Sequence, residues 1–160
     1  MAKNLIGTMT APSKIIDVTL TLDTSAYASG DLMVDAQEIK NVFGTSEIRP
    51  TGVLQSLTLI DKDDQGIALE LYFTDVSTTW GTVNNAVTVS DAVAVGITGC
   101  VEVGTADYID IGAQKIVHLN NLSMVLKGGS TPSLWIAAVA RGAGTFAADG
   151  IVLRLGFFSD

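Results

Sequence analysis

Apolar and polar side chains alternate with period two along much of this sequence, and no other feature narrows its fold as far. The pattern is plainest in Ile16-Asp17-Val18-Thr19-Leu20-Thr21-Leu22 and in Ile67-Ala68-Leu69-Glu70-Leu71-Tyr72-Phe73. Successive side chains of an extended strand point to opposite faces, so alternation sets one face on a core and the other in water. Val, Ile and Thr recur throughout, and their branched side chains suit a pleated surface. Long amphipathic helical periods are missing. The chain reads as all-β.

Ten runs carry strand character: 14–22, 36–43, 53–61, 67–75, 97–103, 107–111, 115–119, 122–127, 133–141 and 151–158, punctuated by Gly-, Asn- and Asp-containing turns. So many short strands in 160 residues predict one antiparallel β-sandwich domain, jelly-roll-like, over residues 14–160. Residues 1–13 read instead as an extended N-terminal arm. Leu5, Ile6 and Met9 are apolar there without a strand or helix period, and Pro12 separates them from the first run. A segment of that kind gains order chiefly from a partner surface.

The turns have their own signals. Asp61-Lys62-Asp63-Asp64-Gln65-Gly66 predicts a solvated hairpin, with Gly66 free to take a positive φ. Gly112-Ala113-Gln114 predicts a tight reversal, and Asn120-Asn121 a turn between 119 and 122. Ser90 is placed to N-cap one short helical turn before Gly96 stops it. Residues 76–90 form an uncharged excursion around Trp80, which is open to two roles: lid on the core or contact with a partner. Trp135, inside the apolar run 134–139, is expected in the core.

Composition excludes several function classes. A net charge of −8 is the wrong sign for a phosphate-backbone partner, so no nucleic acid is expected. No apolar run is long enough for a membrane span or a secretory leader, so no membrane partner is expected either. Charged residues make up only 16% of the chain, which points to outer surface buried against other chains. The single Cys100 has no partner for a disulfide and leaves the compartment open.

The chemical motifs all fall short. Asp61, Asp63 and Gly66 match the start of a calcium loop, but its twelfth position is Tyr72, and strand patterns flank it where helices are required. Gly142-Ala143-Gly144-Thr145-Phe146-Ala147 satisfies the letters of a dinucleotide-binding turn, yet Asp149-Gly150 and a further strand leave no room for the helix that holds the pyrophosphate. His118 is the only histidine and sits beside no nucleophile motif. Asp107 and Asp110 are a carboxylate pair of the sort any acidic surface carries. No catalytic residue, metal site or cofactor is expected.

Three strings carry a family resemblance: Val18-Thr19-Leu20-Thr21-Leu22-Asp23-Thr24-Ser25-Ala26-Tyr27-Ala28-Ser29-Gly30-Asp31; Gly52-Val53-Leu54-Gln55-Ser56 with Leu59-Ile60-Asp61-Lys62-Asp63-Asp64-Gln65-Gly66; and Leu153-Arg154-Leu155-Gly156-Phe157. They resemble the capsid decoration, or cement, proteins of tailed bacteriophages. That resemblance implies a virion protein on the outer capsid surface that bridges major capsid subunits and catalyses nothing. Its partners would be the major capsid protein and further copies of itself, with a homotrimer favoured over a dimer. Leu5, Ile6, Met9 and Trp80 are the contact candidates, inferred from the residues rather than carried over from the family. The competing expectation is a carbohydrate-binding or fibre-type module on the virion, with Trp80 or Tyr108 stacking on a sugar ring.

Overall fold

The computed structural model describes residues 13–43 and 50–159. Leu5, Ile6, Met9 and Pro12 lie outside the described residues, and so does the expected arm up to Pro12. Ten strands follow in order: β1 (Ser13–Thr19), β2 (Leu32–Ile39), β3 (Thr51–Asp61), β4 (Leu69–Thr74), β5 (Ile97–Val103), β6 (Ile109–Asp110), β7 (Lys115–Leu119), β8 (Met124–Lys127), β9 (Leu134–Ala140) and β10 (Ile151–Ser159). Between β4 and β5 lies a single helical turn, α1 (Asp91–Val95), and a 3-10 turn at Thr105–Asp107 precedes β6.

The strands make two antiparallel sheets packed as a sandwich. One runs β1-β10-β3-β7-β6, with β8 also pairing β3; the other runs β2-β9-β4-β5. The pairs are nested: β1 with β10, β2 with β9, β3 with β7 and β8, β4 with β5. Successive nested pairs alternate between the sheets, as if one long hairpin had been rolled up.

Alternation builds the core as the sequence implied. Ile151, Leu153, Leu155 and Phe157 of β10 point inward and are buried, as are Leu57, Leu59 and Val117 from β3 and β7. Leu69, Leu71, Phe73, Leu134, Ile136 and Ala138 meet them from the four-stranded sheet. Burying a side chain of this kind contributes roughly 1.5–3 kcal/mol.

The four-stranded sheet is covered on its outer face as well. Residues 75–96 cross it and set Trp80 and Val93 against Leu32, Ala137 and Val139 as a second apolar cluster. That double burial explains why β9 is an unbroken apolar run rather than an alternating one. The excursion is tied down by Asp35, which accepts from Trp80 N at 2.7 Å and Thr79 Oγ1 at 2.9 Å. Ser90 caps α1 as expected, accepting from Val93 N at 3.4 Å, and Gly96 closes it.

Several expectations need correction. The second strand lies at Leu32–Ile39 rather than 36–43, because Leu32, Met33 and Val34 are all buried and Asn41, at φ 57°, ends the run. Asn120-Asn121 is no reversal. β7 and β8 continue in one direction along β3, and residues 120–123 bulge out between them with positive φ at Asn121 and Ser123. Trp135 is half-buried on the outer face of β9, because the cover reaches Ala137 and Val139 but not Trp135. The reversal at Gly112 is present, with φ +107° and a bond from Ile111 N to the Gln114 carbonyl.

Candidate contact surface

Among the described residues no segment crosses the outer face of the six-stranded sheet, and strand register assembles that face in rows. Ser13, Phe158, Val53 and Val125 stand side by side across β1, β10, β3 and β8. A second row holds Asp17, Arg154, Thr58 and His118. A third holds Thr19, Val152, Ile60, Ile116 and Ile109. Two apolar rows thus flank a polar one.

Ile15 stands opposite Gly156 and Ser56 between the first two rows, and exposure on this face is large for apolar side chains: Ile15 is 71% exposed, Val125 67%, Ile109 57% and Phe158 42%. Ile15, Phe158 and Val125 lie on one side of the polar row, and exposed apolar clusters of this sort mark contact with another macromolecule. Between Ile15 and Phe158 lies a groove of about 470 Å³, floored by Ser56 and Gly156. A Cβ at Gly156 would meet only the Ser56 hydroxyl, which rotation about its Cα–Cβ bond can move aside. In the polar row, Arg154 grips Asp17 with two bonds of 2.8 and 3.2 Å. That guanidinium holds the Asp17 carboxyl below its ordinary value. His118 Nδ1 is 2.8 Å from Thr58 Oγ1, and the imidazole is exposed.

The remaining polar clusters are occupied with holding the fold. Asp61, expected in a solvated turn, is buried; its two oxygens accept from Asp63 N at 3.0 Å and Gly66 N at 2.7 Å. Asp63 in turn accepts from Ala147 N at 2.8 Å, and Lys62 pairs with Asp149 at 2.5 Å. The acidic hairpin is therefore tied to the loop before β10, and its ligand-like oxygens are committed to amides. Among the described residues no group of three metal-ligating side chains converges. The glycine-rich segment bridges Gly144 to Tyr27 as a loop and opens no helix.

On the four-stranded sheet, Arg141 donates to Glu70 at 2.6 Å and Tyr72 donates to the same carboxylate. Arg141 holds Glu70 below the usual carboxylate range. Burial, then the hydrogen bond to Glu70, pushes Tyr72 up to about 12. Cys100 lies opposite Tyr72 across the β4–β5 pair. Its thiol is pushed up by partial burial and then by Glu70 and Glu102, the reverse of what a nucleophile needs.

Trp80, a contact candidate from the sequence, is 2% exposed and packs against Tyr72 at 5.0 Å between ring centres. It serves the chain's own cover rather than an outside partner. Tyr108 points inward, donating to the Ile67 carbonyl at 2.8 Å, with burial raising its pKa. Neither ring offers the open platform that sugar stacking requires. Reading by residue type missed Ile15, Val125 and Phe158; each had a signal, an apolar residue on the polar side of an alternating strand.

No family model matches the chain, and no curated protein matches it. Among solved structures it is similar to the infectious bursal disease virus VP2 subviral particle, with a TM-score of 0.35 and 11% identity over 91% of this chain and 32% of that one. The Gx and Gt strain structures of the same virus align at TM-scores of 0.17 and 0.18, with 10% and 11% identity, covering 92% of this chain and 40% and 42% of theirs. The chain thus spans well under half the length of these viral proteins.

Proposed function

We propose that this chain is a non-enzymatic structural protein of a tailed-phage virion, sitting on the outer capsid surface and bridging major capsid subunits, with further copies of itself as a second partner. The observation that carries the reading is the open outer face of the six-stranded sheet, whose apolar rows suit protein contact and whose polar row holds no convergent chemistry. A protein repeated many times over a shell obtains avidity from modest contacts and needs a rigid scaffold rather than a pocket. The nested strand pairs support a jelly-roll reading, an architecture found in viral capsid and lectin domains alike. Fold alone does not decide between those. The strings that resemble cement proteins favour the capsid, and the inward placement of Trp80 and Tyr108 weighs against the lectin.

Localisation in assembled particles tests the proposal. Antibody labelling with image reconstruction should find the chain in many copies at junctions between major capsid subunits. A position at the tail tip, or absence from purified particles, would overturn it.

A further inference from the structure

The two sheets are treated unequally. Residues 75–96 cover the outer face of the four-stranded sheet, whereas no described segment crosses the outer face of the six-stranded one. We propose that a second copy of this chain covers that face through a two-fold contact centred near Gly156. This deepens the self-association in the reading above and rests on that part of it alone; the virion assignment is not needed. It replaces the trimer expected from the sequence with a pair.

Three features favour a second copy as the occupant. The first is shape. The projecting side chains, Ile15 and Phe158, border the groove of about 470 Å³ floored by Gly156. Knob and groove in one patch are what an isologous contact requires, because a two-fold axis through the patch carries each copy's knob over the other's groove. The second is charge. The chain's net charge is −8, yet Asp17 is the only described carboxylate in the three rows, and Arg154 pairs it. Most of the protein's surface repels a second copy; this face does not.

The third is area. Four strands spaced about 4.8 Å apart, each presenting about seven residues at roughly 3.3 Å, span a face of about 20 by 23 Å. Allowing for side-chain relief, two such faces would bury about 1,000–1,400 Å² in total, at the lower end of stable specific interfaces.

Sedimentation of the full chain from 1 to about 100 μM decides the matter. Wild type should sediment as a dimer, and the double variant Ile15→Lys/Val125→Lys as a monomer, with dissociation at least about 100-fold easier and an unchanged circular dichroism spectrum. Val95→Lys, on the exposed side of α1, adds a like charge elsewhere and should leave the dimer intact. If the double variant failed to fold, Val125→Lys alone would serve, because that side chain lies mostly in solvent. A wild-type monomer throughout would overturn both the contact and the self-association reading. An oligomer indifferent to the double variant, or a trimer, would overturn the two-fold face while leaving self-association standing. A monomer that dimerises only when residues 2–11 are deleted would assign the face to the chain's own N-terminal segment and overturn the proposal.

Discussion

Removing the Asp61 carboxylate would strand two part-buried amide donors, those of Asp63 and Gly66. Asp61→Ala should therefore lower unfolding free energy by about 1–3 kcal/mol, read from the urea midpoint, with Asp61→Asn between variant and wild type because it keeps one acceptor oxygen. The sequence presented this aspartate as one of four charges at a strand end, which argues for water. Its spacing from Gly66 held the better clue, since an aspartate at a turn often folds back onto amides two or more residues on. Titration separates two further groups. Glu70 is depressed by Arg141, so its contribution is present above an unfolded value of about 4.3 and is lost as pH falls through the lower folded value. Tyr72 is raised to about 12, so its contribution is complete below the unfolded value of about 10 and drains away as pH climbs toward 12. Melting curves should show Arg141→Ala costing more at pH 7 than at pH 3, and Tyr72→Phe flattening the fall in stability above pH 10. A Tyr72→Phe protein with the wild-type alkaline slope would refute the second assignment. Cys100 belongs here too: its raised thiol should react with a disulfide reagent at pH 8 more slowly than free cysteine does, and Glu102→Gln should speed it.

At the scale of elements, the excursion 75–96 behaves as a third layer pinned at two places: Asp35 holds Thr79 and Trp80, and the backbone of Gly30 and Leu32 bonds to residues 84–87. Asp35→Ala removes the first of these ties, so limited proteolysis should open the stretch around 76–82 several-fold faster while the sandwich keeps its sheet spectrum. Trp80→Ala should be harsher, by about 3–5 kcal/mol, since it empties the middle of the second cluster. Trp80→Phe should cost less than that, for it also discards an indole N–H that has no hydrogen-bond partner. Chemical denaturation of the two variants ranks them. Strand existence was legible from alternation almost throughout, because a half-buried strand writes its two environments into neighbouring residues. Which outer face would receive a second cover was not legible: Trp135 has the apolar surroundings and Trp80 the burial. Residues 120–123 show the same limit, because an asparagine that tolerates positive φ serves a bulge as well as a reversal.

For the molecule as a whole, strand order is the part that local pattern leaves unsaid. Nothing in 13–19 names 152–158 as its partner, yet their register is continuous from Ser13 opposite Phe158 to Thr19 opposite Val152. The open face was recoverable only after that order was known, since Ile15, Val53, Val125 and Phe158 come from four separate strands. β10 lies between β1 and β3, so deleting 151–159 should abolish cooperative folding rather than trim an edge, and calorimetry should show no unfolding transition. A retained sharp transition would mean that the remaining strands close on their own. The same arrangement bears on how the chain is made. With translation at about 5–20 residues per second, β1 leaves the ribosome on the order of ten seconds before its partner strand exists. Throughout that interval a strand with one apolar face stands unmated beside neighbouring nascent chains, and on a crowded polysome a finished β10 from one of them is as near to hand as its own.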